Sequence, residues 1–147
     1  MGGHAYYYTV PYDGDLEQAL DDLREREFRA GRYNPAMRLI DFPIVANSPA
    51  PGPRHATIED ALAASGEEGT RSILDIHAIG DAPDFSTAGP LPPEVLRDLY
   101  GTERPTRAAV EADDSFAEDI ERGTAAYVLL YEGDTPTAVH FAGCSCD

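Results

Sequence analysis

The chain is 147 residues long and carries a formal charge of −16 at pH 7, from 27 carboxylates set against 11 cationic side chains, every one of them Arg. A chain without Lys excludes Schiff-base, pyridoxal-phosphate and P-loop chemistry, because each places a Lys at the reacting group. The acid surplus repels phosphate backbones and anionic lipid, so neither nucleic acid nor a membrane is expected as a partner.

Residues 5–12, Ala-Tyr-Tyr-Tyr-Thr-Val-Pro-Tyr, are aromatic and β-branched and predict a strand. Pro11 puts that strand at an edge or near its end. Alternation gives the Tyr6-Tyr7-Tyr8 run a phenol on both faces, one face packed and the other wet. Asp15 with Gln18 three residues on has a capping-box pattern, and the helix it opens runs from Leu16 to Ala30 with Gly31 as its stop. Leu16, Ala19, Leu20, Leu23 and Ala30 form the inward stripe. Asp22–Arg26 and Glu25–Arg29 are i,i+4 pairs on the wet side.

Pro35, Pro43, Pro49, Pro51 and Pro53 leave room for only a short strand around Leu39–Val45, followed by a Pro-rich loop over 46–56. Thr57 caps a short helix that ends near Ser65. Arg71–Ile79 is apolar enough to predict a largely buried central strand. A loop spans 80–91, Pro92-Pro93 open a helix closed by Gly101, and residues 106–122 predict one acidic helix. Ala125–Tyr131 and Thr137–Ala142 predict a hairpin around Glu132–Pro136. Residues 143–147 are expected as a mobile tail.

The expected architecture is α+β: a mainly antiparallel sheet of the N-terminal strand, the central strand 71–79 and the C-terminal hairpin, backed by helices. At 42% apolar content, residues 1–147 suffice for one globular domain. No apolar run approaches the ~18 residues that span a bilayer, and no basic leader precedes an apolar segment, so the cytoplasm is the expected location.

Asp75 and His77 lie two apart on the expected central strand and so leave one face of it. An Asp beside a His orients the imidazole and raises its basicity, which predicts a general base. A pair at a strand end that satisfies loop backbone is the competing account. Arg24, Arg26, Arg29 and Arg32 hold four of the 11 cations within nine residues. Cations in the last turns of a helix favour its negative end, which accounts for the first two. Arg29, Arg32, Tyr33 and Asn34 are candidates to bind a small anion.

His140, Cys144 and Cys146 have equal parity and are candidate metal ligands. Their spacing matches no zinc signature, so incidental thiols on a tail are the expectation. No dinucleotide fingerprint, nucleophile elbow or zincin helix is present, and no cofactor is expected. Two functions follow. The first is a small acidic binding or inhibitor-type protein, acting through an interface with a protein partner or small anionic ligand. The second is a cofactor-independent enzyme with His77 as base, Asp75 as its orienter and Arg29 or Arg32 as the anion clamp. The acid surplus and the absent cofactor motifs favour the first.

Overall fold

A computed structural model describes residues 4–37 and 43–145. Helix α1 (Leu16–Ala30) forms for the local reasons its sequence states. The Asp15 carboxylate accepts from Gln18 N at 3.0 Å, and Gly31 ends the helix at φ 74°. The Gln18 side chain turns to Asp22 rather than back to the cap, so only half of the capping box is made. Gly31 has a second reason to be Gly: a Cβ there would run into the carbonyl of Gly52, which packs on the helix end. Helix α2 (Ile58–Ser65) is capped by Thr57, and α3 (Pro93–Tyr100) opens on Pro92 and stops at Gly101 with φ 73°.

The sheet has five strands in the order β1-β5-β4-β3-β2. They are β1 (Ala5–Pro11), β2 (Ala78–Ile79), β3 (Thr87–Pro90), β4 (Ala125–Glu132) and β5 (Thr135–Cys144). The β1–β5 and β5–β4 pairs are antiparallel, but β4–β3 and β3–β2 are parallel. The sheet is therefore mixed, not mainly antiparallel. The difference comes from β3, whose Thr-Ala-Gly-Pro sequence carries few strand-forming residues and falls within the expected loop 80–91. Chain 91–124 supplies the long crossover that a parallel β3–β4 pair demands.

The expected central strand 71–79 is not a central strand. Ser72 accepts from Leu74 N and caps a 3₁₀ turn at Ile73–Asp75, while Arg71 adopts a left-handed φ of 57°. Only Ala78 and Ile79 pair, and they do so at the sheet edge. Ile73, Leu74 and Ile76 of this run are buried, but in and beside a turn under α1, whereas Ala78 is exposed.

Residues 106–122 likewise split, into α4 (Arg107–Ala112) and a 3₁₀ turn at Ser115–Asp119. The Asp113 carboxylate accepts from both the backbone N (3.1 Å) and Oγ (2.6 Å) of Ser115, offering a local alternative to the helix ladder. The expected tail is in part sheet: β5 runs through Cys144, and Ser145 is buried, its N donating to His4 O. The short strand expected around Leu39–Val45 lies largely outside the described residues, although Ile44 makes a parallel bridge to Tyr6.

Both faces of the sheet are covered. Tyr6, Tyr8 and Val10 of β1 with Val139 and Phe141 of β5 pack against Leu20 and Leu23 of α1. The opposite face sets Val128, Leu130, Ala138 and Ala142 against Val110 of α4 and Phe116. A smaller cluster of Phe28, Tyr33, Ala36, Ala61 and Leu74 joins the end of α1 to α2. Among the described residues no helix is long and apolar enough to cross a membrane.

Candidate functional site

Asp75 and His77 are placed for different work. Asp75 Oδ1 accepts from Thr70 N and Thr70 Oγ1, both at 2.8 Å, which ties the 66–75 loop together. Its Oδ2 is buried and meets no hydrogen-bond partner among the described residues, close against Gly69, where a Cβ would lie only 2.7 Å away. Burial raises the carboxyl pKa, and the bonds from Thr70 and Arg71 and the charge of His77 pull the other way. His77 is exposed, its backbone N bonded to Ser86 O at 2.8 Å. Its imidazole pKa is lowered by partial desolvation and then by Arg24, and Asp75 only partly offsets this. The cation beside this pair is thus Arg24, whose Nη2 donates to Leu74 O at 2.9 Å.

Of the four anion-clamp candidates, Arg32, Tyr33 and Asn34 hold loops, and Arg29 pairs within its own helix. Arg29 is exposed and pairs with Glu25 at 2.7 Å. Arg32 is nearly buried: its Nε donates to Glu27 at 2.9 Å and its Nη1 to Ser48 O at 3.2 Å. Glu27 is fully buried and takes Arg26 on its other oxygen at 3.0 Å. The Tyr33 hydroxyl accepts from Arg54 N and lies 2.8 Å from His55 Nδ1. Asn34 donates its N to Thr70 O and accepts from Ser65 Oγ. These contacts pin the Pro-rich loop and the 66–75 loop to the C-terminal end of α1. Arg29 and Arg32 do not reach the Asp75–His77 pair by any described contact.

The arrangement with open chemistry lies on the other face of the sheet. His140 sits mid-β5, directly across from Thr9 of β1 and Val128 of β4. Strand alternation aims Ala138, His140 and Ala142 toward α4, and His140 is only 8% exposed. Its Nδ1 lies 2.9 Å from Thr9 Oγ1. Its Nε2 is buried and meets no hydrogen-bond partner among the described residues. The ring is held between Tyr7, with centroids 6.2 Å apart, and the edge of Phe116 at 6.3 Å.

The same imidazole lines a cleft of about 450 Å³ with Tyr7, Thr9, Asn47, Arg107, Glu111 and Asp114. Helix α4 supplies the rim: Thr106 caps it, and Arg107 and Glu111 lie one turn apart, 3.1 Å between their charged groups. The break at Asp113 then swings Asp114 to the cleft. A larger groove of about 670 Å³ adjoins it, sharing Thr9 and Arg107. The Pro-rich loop contributes Ala46 and Asn47, which gives the Arg32 and Tyr33 clasps a positioning consequence for this cleft. The His140 pKa is lowered, chiefly by burial and slightly by Arg107, against the opposing pull of Asp114 and Glu111. Near neutral pH the site thus presents an uncharged imidazole with one nitrogen engaged and one bare.

The metal-ligand triad does not assemble. His140 and Cys144 are four residues apart on one extended strand, roughly 13 Å at about 3.3 Å per residue, too far to share an ion bound at about 2 Å. Cys146 lies outside the described residues. No group of three or more His, Cys, Asp or Glu among the described residues has a metal-holding arrangement.

Sequence reasoning reached His140 only as a metal ligand and missed Thr9, Glu111 and Asp114. The available signal was a polar residue at an inward position of a strand whose neighbours on that face are both Ala. Its Thr9 partner depends on a strand register that no local pattern states. Comparison with family models, with curated proteins and with solved structures finds no match for this chain.

Proposed function

We propose that this is a small-molecule binding protein whose ligand occupies the cleft between β1, β5 and α4. The observation that carries the reading is the buried Nε2 of His140, which meets no hydrogen-bond partner among the described residues, on a residue that lines that cleft. A buried polar atom without a partner costs about 1–3 kcal/mol, and a ligand group bonded to it recovers that free energy. The cleft volume falls within the roughly 300–1,000 Å³ range of small-molecule sites. An enzyme centred on His77 has less support, since Asp75 is spent on Thr70 and the proposed clamps are spent on Glu25 and Glu27. A small anionic ligand loses its carriers for the same reason.

The test is a fragment screen on isotope-labelled protein by amide and imidazole chemical-shift mapping. Hits should cluster at Tyr7, Thr9, Val110 and His140 and be lost in His140→Phe. Hits confined to other surfaces, or an unaltered pattern in His140→Phe, would remove the reading.

A further inference from the structure

We infer that the ligand of the Thr9–His140 cleft is a small organic cation, a primary or secondary ammonium group carried on an apolar body. This rests on the cleft being the binding site. Four charged or titratable groups of β5, α4 and the turn after it face the space: His140, Arg107, Glu111 and Asp114, with the Tyr7 phenol beside them from β1. Arg107 and Glu111 neutralise each other at 3.1 Å. Asp114 is left as the net charge of the site: its backbone carbonyl accepts from Ala117 N, but its carboxylate makes no hydrogen bond or ion pair among the described residues. The charge of −16 over the whole chain adds to the potential that draws cations in.

The donor and acceptor pattern selects the type of cation. When Nδ1–H donates to Thr9 Oγ1, Nε2 carries a lone pair and can only accept. An ammonium N–H satisfies that lone pair while its charge faces Asp114. A quaternary ammonium has no N–H and leaves Nε2 bare. A carboxylate ligand would meet the Asp114 charge and, at Nε2, lone pair against lone pair. The half-buried Tyr7 lines the same space, and Val110 with Val45 offers apolar wall to the body of the ligand.

The experiment titrates four probes of one shape into the full chain, reading shifts at His140, Tyr7 and Val110. They are phenethylamine, 2-phenylethanol, phenylacetate and phenethyltrimethylammonium. Phenethylamine should bind saturably and at least about tenfold more tightly than the others, the scale of one hydrogen bond to a charged group. Asp114→Asn, a substitution at an exposed position, should remove about that factor for the amine and leave the alcohol unchanged. Equal binding of the trimethylammonium probe would overturn the N–H to Nε2 contact. Tighter binding of the alcohol or the carboxylate in the cleft would overturn the cation and leave the binding site standing. No response at the cleft to any probe, together with an empty fragment screen, would overturn both.

Discussion

Thr9 and His140 face each other across the β1–β5 ladder, and the hydroxyl of one lies 2.9 Å from Nδ1 of the other. That contact fixes the imidazole and, in one tautomer, leaves Nε2 with a lone pair that can only accept. Thr9→Val keeps the shape but leaves both ring nitrogens unsatisfied. We expect a loss of about 1–3 kcal/mol in urea unfolding and a weakened response to amine probes. Full stability in Thr9→Val would mean that the pair does not hold the ring.

Acid should expose the same residue. Burial holds the His140 pKa below the 6.5 of an ordinary imidazole, so above 6.5 both folded and unfolded chains carry it neutral. As pH falls below that value the unfolded chain takes the proton first, and stability drains until the folded-state pKa is reached. His77 shifts in the same direction, and Asp75, with its raised pKa, in the opposite one. The clean measurement is therefore the stability of wild type minus that of His140→Asn across pH 7 to 4. The difference should shrink as pH falls; a flat difference would contradict the shift.

Leu20 and Leu23, 2% and 1% exposed, lie against Tyr6, Tyr8, Val139 and Phe141. Leu20→Ala should cost about 2–5 kcal/mol, since the cavity it leaves is walled by a helix on one side and paired strands on the other. Chemical denaturation with an unchanged m-value checks it.

The Arg residues at the end of α1 should separate sharply. Arg32 is 12% exposed on its side chain and faces a Glu27 that is fully buried, whereas Arg29 is 75% exposed beside Glu25. Removing Arg32 leaves the buried Glu27 with Arg26 alone, so Arg32→Ala should cost about 2–3 kcal/mol, somewhat less than the ~3–5 kcal/mol of a fully stranded buried charge. Arg29→Ala removes an exposed i,i+4 pair worth about 0.3–0.5 kcal/mol. Similar losses for the two would show Glu27 relaxing to water when Arg32 is gone.

The parts of this fold that were legible in the sequence are those fixed by nearby residues. Asp15 and Gly31 bound α1 to the residue, Thr57 and Gly101 mark two more helix ends, and the Gly133-Asp134 turn joins β4 to β5. What failed depends on distant partners. Ile73, Leu74 and Ile76 are buried, as a central strand would be, but Ser72 and Asp75 bond locally and close a turn. Strand β3 is recruited by the exposed edges of its neighbours rather than by its own propensity. The candidate site needed the Thr9–His140 register and the break at Asp113, and Arg32 found Glu27 across the helix end instead of the i,i+4 spacing.

The Asp75–His77 pair gives the last prediction, because sequence and structure disagree in sign. Two residues apart on a strand, Asp75 would hold the imidazolium and raise its pKa. In the folded chain Asp75 points its Oδ1 at Thr70, and the guanidinium of Arg24 stands near enough to oppose the proton on His77. Desolvation acts in the same direction as Arg24 and exceeds the pull of Asp75. His77 should therefore titrate below 6.5 by NMR of its ring protons. Arg24→Met, which keeps the apolar stem and removes the charge, should move the midpoint up. Asp75→Asn should move it further down, since the charge that opposes desolvation and Arg24 is then gone. A midpoint above 6.5 in wild type, lowered by Asp75→Asn and indifferent to Arg24→Met, would restore Asp75 as the orienter of a basic His77 and with it the case for catalysis at that edge of the sheet.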